Sequence, residues 1–177
     1  MENPCGPERL HAPWRMEYIA RNGNAPTGCV FCAAACAETC DRESLVIHRG
    51  THNFVILNRF PYNCGHLMVV PYTHTAELRD LPLDVQAEMM RLATLCVEAL
   101  RRAMRPEGFN LGMNLGQAAG AGIADHLHLH LVPRWGGDTN FMPVLGNVRV
   151  LPESLERTWQ RLCDAMTEVM AEQEHEP

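Results

Sequence analysis

The sequence predicts an α+β fold: a mainly antiparallel sheet of about five strands, one central helix and a C-terminal helix. Three observations carry that reading. Short β-type runs recur at 45–48, 53–58, 66–70, 109–115 and 125–132, bounded by turn residues. One long stretch, 84–104, instead repeats its apolar residues every three or four positions. Strands, one helix, more strands and a terminal helix follow in order, without the strand-by-strand helix alternation of a parallel sheet.

Taken in order, residues 1–28 are rich in Pro, Gly and Asn and read as an irregular arm, with an aromatic-basic patch from Pro13 through Trp14 and Arg15 to Tyr18. The main domain is expected over 29–150. Asn53-Phe54-Val55-Ile56-Leu57-Asn58 is a β-type run, a turn follows at 59–63, and His66-Leu67-Met68-Val69-Val70 reads as a buried strand stopped by Pro71. In the helix at 84–104 the apolar stripe is Val85, Met89, Leu92, Cys96, Ala99, Leu100 and Ala103, with Asp84 as N-cap and Pro106 and Gly108 ending it. Phe109–Leu115 and Asp125–Val132 form a hairpin-like pair across the Gly/Ala loop 116–122. Residues 151–177 carry a second amphipathic helix, marked by Leu155, Trp159, Leu162, Met166 and Val169, and an acidic tail.

Composition narrows the chemistry. The chain has 177 residues, enough for one domain with a core of its own. Its net charge of -6 argues against a nucleic-acid or anionic-membrane surface. All 15 basic residues are arginine, which removes Schiff-base and Walker-lysine chemistry. The serines are Ser44 and Ser154, and neither sits in a nucleophile elbow. No segment approaches the roughly 18 consecutive apolar residues of a membrane span, and Met1–Arg15 lacks the apolar core of a signal peptide. These features predict a cytoplasmic chain whose cysteines are thiols or metal ligands.

The strongest local signal is Asp125-His126-Leu127-His128-Leu129-His130-Leu131-Val132. In a strand, alternate residues share a face, so the three histidines line one side and the leucines the other. A lone strand histidine is usually structural; three at i, i+2 and i+4 are not easily explained that way. Two readings remain: the imidazoles bind one metal, or one is a nucleophile that its neighbours orient. The Gly/Ala loop just before them favours the second, because exposed backbone N–H groups there would hold phosphate oxygens against His128.

His126-Leu-His128-Leu-His130-Leu-Val-Pro resembles the signature of the histidine triad (HIT) superfamily. The resemblance extends over roughly 29–135 and includes Asn58 and the run from Gly65-His66 to Pro71-Tyr-Thr-His74. The flanking stretches from Ala12 to Ile19 and from Val132 through Arg134-Trp135-Gly136-Gly137-Asp138 to Phe141 resemble the bacterial branch that includes diadenosine tetraphosphate phosphorylases. The resemblance implies a HIT-like fold and an enzyme that cleaves dinucleoside polyphosphates through a nucleotidyl-histidine intermediate on His128, with inorganic phosphate or water as acceptor. The alternative it leaves is a nucleotide-binding module, acting on nucleoside phosphoramidates or with little turnover. It further implies that the carbonyl of His126 orients His128 and that His130 contacts the phosphate. Asn114 and Gly120, Ala121 and Gly122 would hold the non-bridging oxygens, and Asn58 the ribose. Many relatives carry Gln or Ser two to four residues before the first histidine. Ala121 to Ala124 stand there in this chain, which leaves that task to backbone donors.

Cys29-Val-Phe-Cys32 is one half of a zinc site or a redox pair. In zinc-bearing HIT relatives the pair is completed by a histidine after the Val-Val-Pro strand and by the first triad histidine, which here are His74 and His126. The resemblance therefore implies a closed, structural Zn2+ held by Cys29, Cys32, His74 and His126. Cys36, Cys40 and His48 are outside candidates. It also implies a homodimer, built through the helix at 84–104 and the strand near 109–115, that the flanking arms extend to a tetramer in one arrangement. Arg134, four residues beyond His130, is the arginine expected to meet a polyphosphate; Arg59 and Arg15 are weaker candidates.

Overall fold

The computed structural model describes residues 28–37, 41–139, 141 and 153–173. The expectations for the N-terminal arm with Trp14 and Arg15, for Cys40 and for the acidic tail after 173 lie outside them. Residues 26–138 and 151–177 form one compact unit, which is described here. Of the other unit, 1–25 with 139–150, only Thr139 and Phe141 are among the described residues.

Five strands form one antiparallel sheet: β1 (Val46–Arg49), β2 (Asn53–Leu57), β3 (Leu67–Pro71), β4 (Gly108–Met113) and β5 (Leu129–Arg134), in the order β1-β2-β3-β5-β4. β2 and β3 are buried along their length, as their unbroken apolar runs require of central strands. A long helix, Leu83–Met104, packs on the sheet through Val85, Met89, Leu92, Cys96, Ala99 and Leu100. Burying each of Val85, Met89, Leu92 and Leu100 stabilises the fold by about 1.5–3 kcal/mol. The C-terminal helix, Leu155–Gln173, lies against that helix and β1, and Trp159 Nε1 donates to Val46 O at 2.8 Å. Two shorter helices, Val30–Cys36 and Asp41–Ser44, precede the sheet. In chain order the helices are α1 (30–36), α2 (41–44), α3 (83–104) and α4 (155–173).

Several boundaries differ from expectation for local reasons. α3 begins one residue early, with Pro82 at the N-cap position, so Asp84 sits in the first turn. Its charge still meets the positive end of the helix. The helix ends on Arg105 in the left-handed region (φ 51°), just before Pro106. β3 includes Pro71, which pairs with Asn53. Most relevant to function, β5 begins only at Leu129. His126 and His128 precede the ladder because β3 pairs with β5 no further than Val69↔Leu129. That stretch is held instead by Leu127 N–H on Thr75 O at 2.7 Å. The Cys29-x-x-Cys32 pair opens a helix, with Cys29 at the N-cap of α1, ahead of an antiparallel sheet rather than inside a βαβ unit.

Candidate active site and metal centre

The three histidines are all buried, and each is set by a different partner. His126 Nε2 lies 2.9 Å from Pro71 O. A carbonyl only accepts, so Nε2 carries the hydrogen and Nδ1 keeps its lone pair. His128 Nδ1 lies 2.8 Å from His126 O, so the assignment is reversed: Nδ1 carries the hydrogen and the lone pair is on Nε2. Burial pulls the His128 imidazole below its ordinary range, partly offset by that hydrogen bond, so the neutral ring prevails near pH 7.

His130 belongs to a chain of donors that starts at the backbone. Tyr62 N–H donates to His66 Nδ1 at 3.1 Å, and Asn58 Nδ2 donates to the same atom at 3.2 Å. His66 is therefore neutral with its hydrogen on Nε2. That atom lies 3.0 Å from His130 Nδ1. His130 must accept there and carry its own hydrogen on Nε2. The nitrogens at issue thus alternate: a lone pair on His128 and an N–H on His130, with ring centres 4.6 Å apart. His66, fully buried, was passed over in the reading of functional residues. A histidine directly before an apolar strand was the available signal. Gly65 places it, because φ is +77° there and a Cβ would stand 2.6 Å from Met104 Sδ on α3.

At the other end, Cys29, Cys32, His74 and His126 bring their ligand atoms within 4.8 Å of one another. His126 Nδ1 is 3.2 Å from Cys29 Sγ, 3.7 Å from Cys32 Sγ and 3.2 Å from His74 Nδ1, and His74 Nδ1 is 3.3 Å from Cys32 Sγ. Zinc bonds of about 2.0–2.3 Å imply tetrahedral edges of about 3.3–3.8 Å, so the donor set fits that ion. The hydrogen bond from His126 Nε2 to Pro71 O supplies the outer support that orients a metal-bound imidazole. Burial and the adjoining Cys29 push the Cys32 thiol up, a crowding that a divalent cation relieves. Cys36 and His48 stay outside the group. Phe31 joins the two ends, its ring centre 5.4 Å from that of His126 and 5.0 Å from that of His128.

The expected substrate-binding residues are placed less evenly. Met113 pairs with Leu129, so Asn114 comes one step past the ladder on the side of His128. The Gly/Ala loop contains a tight turn at Gln117–Ala119, with Gly116 and Gly120 at positive φ. Ala119 N–H and Gly120 N–H close this turn on Gly116 O and Gln117 O, so these two amides are engaged within the loop itself. Asn58 meets His66 through Nδ2, and its Oδ1 accepts Phe60 N–H. Arg59 donates to Glu43 O. Arg134 is engaged within the chain. Its guanidinium holds Asp138 at 2.6 and 2.9 Å and Asn110 Oδ1 at 2.8 Å. Four residues of strand also carry it about 13 Å beyond His130. Asp138 in turn accepts from Asn63 Nδ2 and Trp135 N–H, so the pair ties the chain after β5 to the turn before His66.

Comparison with known proteins accords with this geometry. The HIT domain family model matches residues 41–137. The chain is 42% identical over 161 residues to an AP-4-A phosphorylase of Mycobacterium tuberculosis, covering 88% of this chain and 83% of that protein. It is 30% identical over 142 residues to adenylylsulfatase HINT3 of Arabidopsis thaliana, covering 75% and 70%. Among solved structures, a zinc-bound histidine triad family protein from Mycobacterium smegmatis superposes with a TM-score of 0.65 at 30% identity, over 82% of this chain and 97% of that one. With the family model covering more than half of the sequence and the histidine segment arranged as above, the chain belongs to the histidine triad (HIT) family.

Proposed function

We propose that this chain is a nucleotidyl-transferring enzyme that cleaves dinucleoside polyphosphates of the diadenosine tetraphosphate type, with inorganic phosphate as acceptor. One observation carries the reading: the lone pair on His128 Nε2 beside the N–H on His130 Nε2. A nucleophile and a hydrogen-bond donor are what phosphoryl transfer needs in one place. The 42% identity to an AP-4-A phosphorylase supports the substrate class.

His128 Nε2 attacks the α-phosphorus, and the bond from that phosphorus to the bridging oxygen breaks, releasing ATP. His130 Nε2–H donates to a phosphoryl oxygen as charge builds there. Asn114 and the backbone of the Gly/Ala loop hold the other oxygens, and Asn58 meets the ribose. An oxygen of inorganic phosphate then attacks the adenylyl-histidine, the P–N bond breaks, and ADP leaves with His128 restored. Cys29, Cys32, His74 and His126 would hold Zn2+, which would supply structural cross-linking between α1, the loop after β3 and the histidine segment.

The assembly that goes with this reading is a homodimer, with α3 and β4 proposed at its two-fold interface. β4 is an edge strand that leaves Leu111 46% exposed, and α3 leaves Met90 56% exposed. Solution scattering that gives a stable monomer at micromolar concentration overturns this assembly. Cytoplasmic placement accords with cysteines that form no disulfide among the described residues; no helix among those residues is long and apolar enough to cross a membrane.

Incubation with diadenosine tetraphosphate, with and without inorganic phosphate, tests the function. ADP and ATP appearing only with phosphate is the expected result. AMP and ATP in both conditions replaces phosphorolysis by hydrolysis, and no turnover in either overturns the reading.

A further inference from the structure

We infer that Arg49 is a positioning residue for the metal centre: anchored in β1, its guanidinium holds the C-terminal end of α1 and so sets where Cys32 and Phe31 stand. The inference rests on the zinc reading above. α1 has seven residues, and its N-cap Cys29 makes no side-chain capping bond. A helix of that length is marginal by itself, and its last carbonyls lack partners within it. Arg49 supplies them. Nη1 donates to Ala35 O at 3.1 Å, and Nη2 donates to Ala34 O and Ala37 O, each at 3.1 Å. The cation also sits at the negative end of the helix dipole. A planar fork can meet carbonyls that fan around a helix end, whereas an ammonium is a point charge on a flexible stem. Arg49 is itself held in register opposite Phe54, in the sheet that carries His130.

What α1 carries makes this clamp functional. Cys32 lies within it, 3.3 Å from His74 Nδ1 and 3.7 Å from His126 Nδ1. Phe31, buried, walls both His126 and His128. A retreat of α1 separates Cys32 from two imidazoles, and metal bonds tolerate displacements of only about 0.2 Å.

Arg49→Met removes the donors and the charge but keeps an apolar stem; Arg49→Lys keeps the charge. Zinc affinity is measured by competition with a chelator, at a temperature where circular dichroism shows each variant folded. Arg49→Met is expected to bind zinc roughly ten- to a hundred-fold more weakly, with Arg49→Lys in between. An Arg49→Met protein with wild-type zinc affinity overturns the inference even if it melts earlier, because Arg49 then serves stability alone. If Arg49→Met does not fold, Arg49→Lys decides by the same criterion. A wild-type protein that binds no zinc overturns the metal reading and this inference with it, and the wild-type titration alone identifies that failure.

Discussion

His126 and His130 stand four residues apart on one segment and are both buried, yet the fold gives them opposite hydrogen-bonding roles. At His126 the backbone offers a carbonyl, Pro71 O, so the ring turns a lone pair toward two sulfurs and a second imidazole. At the far end the backbone offers an N–H, from Tyr62, and its polarity passes through His66 to leave His130 with a hydrogen on Nε2. His128 lies between and borrows its orientation from the His126 carbonyl. Residue type makes a histidine versatile, and the nearest backbone group decides whether it becomes a ligand, a nucleophile or a donor.

The sharpest way to break this contrast is at its centre. His128→Asn removes the attacking nitrogen with little change of volume. Turnover of diadenosine tetraphosphate should fall by at least three orders of magnitude, on the order of what loss of a nucleophile costs elsewhere. Nucleotide binding, measured by calorimetry, should persist. Near wild-type turnover sinks the assignment of His128.

The metal end is tested next. Purified protein should carry about one zinc per chain, the stoichiometry of a closed four-ligand site. Cys29→Ser should lower zinc content and melting temperature together, since metal binding is coupled to folding. Elemental analysis and thermal melts check both, and unchanged melting with the metal absent counts against a structural role.

At the opposite end, His66→Phe should spare zinc content but lower kcat by about tenfold or more, less than the roughly 10²–10³ of deleting a catalytic donor outright. The loss comes from releasing the orientation of His130. If zinc content and kcat fall together, the two ends are not separable.

A smaller effect is expected at Glu88, which touches none of the three histidines. Burial by itself would raise its carboxyl, but hydrogen bonds from Asn53, His52 and Thr51 outweigh that and hold it below the usual range. A depressed folded pKa means the stabilisation is fully present above the unfolded value of about 4.3 and is lost as pH falls through the folded value. Glu88→Gln should cost about 1–3 kcal/mol at pH 7, with the difference from wild type shrinking below pH 4 in denaturant titrations. The smallest effect belongs to Arg134→Ala. With the guanidinium given over to Asp138 and Asn110, binding of a tetraphosphate and of a monophosphate should change equally, and stability by no more than about 1 kcal/mol. A selective loss for the tetraphosphate would return Arg134 to the polyphosphate.

The sheet and the two long helices were legible because their signals are local. The apolar run Leu67–Val70 and the three-four stripe of α3 state their period within a few residues. The triad was legible for the same reason. His66 was not, since its meaning lies in Tyr62 N–H behind it and His130 in front, 64 positions away. Arg134 was ranked by sequence proximity alone, which could not show that Asp138, four residues further on, pairs with its guanidinium. The start of the ladder at Leu129, short of His126 and His128, could not be foreseen either, because it depends on where β3 stops offering a partner.

By itself, the sequence determined an α+β chain of five short strands, excluded lysine and serine-elbow chemistry, and set three histidines at alternate positions. Those properties follow from residue type and spacing, which the linear chain contains in full. The tertiary structure decided which nitrogen of each ring carries the hydrogen, that Cys29 and Cys32 meet His74 and His126, and that Arg49 braces the helix between them. These depend on donors and acceptors far apart along the chain, and only closing the sheet brings them within 3–4 Å, where a hydrogen bond or a metal bond can distinguish one nitrogen from another.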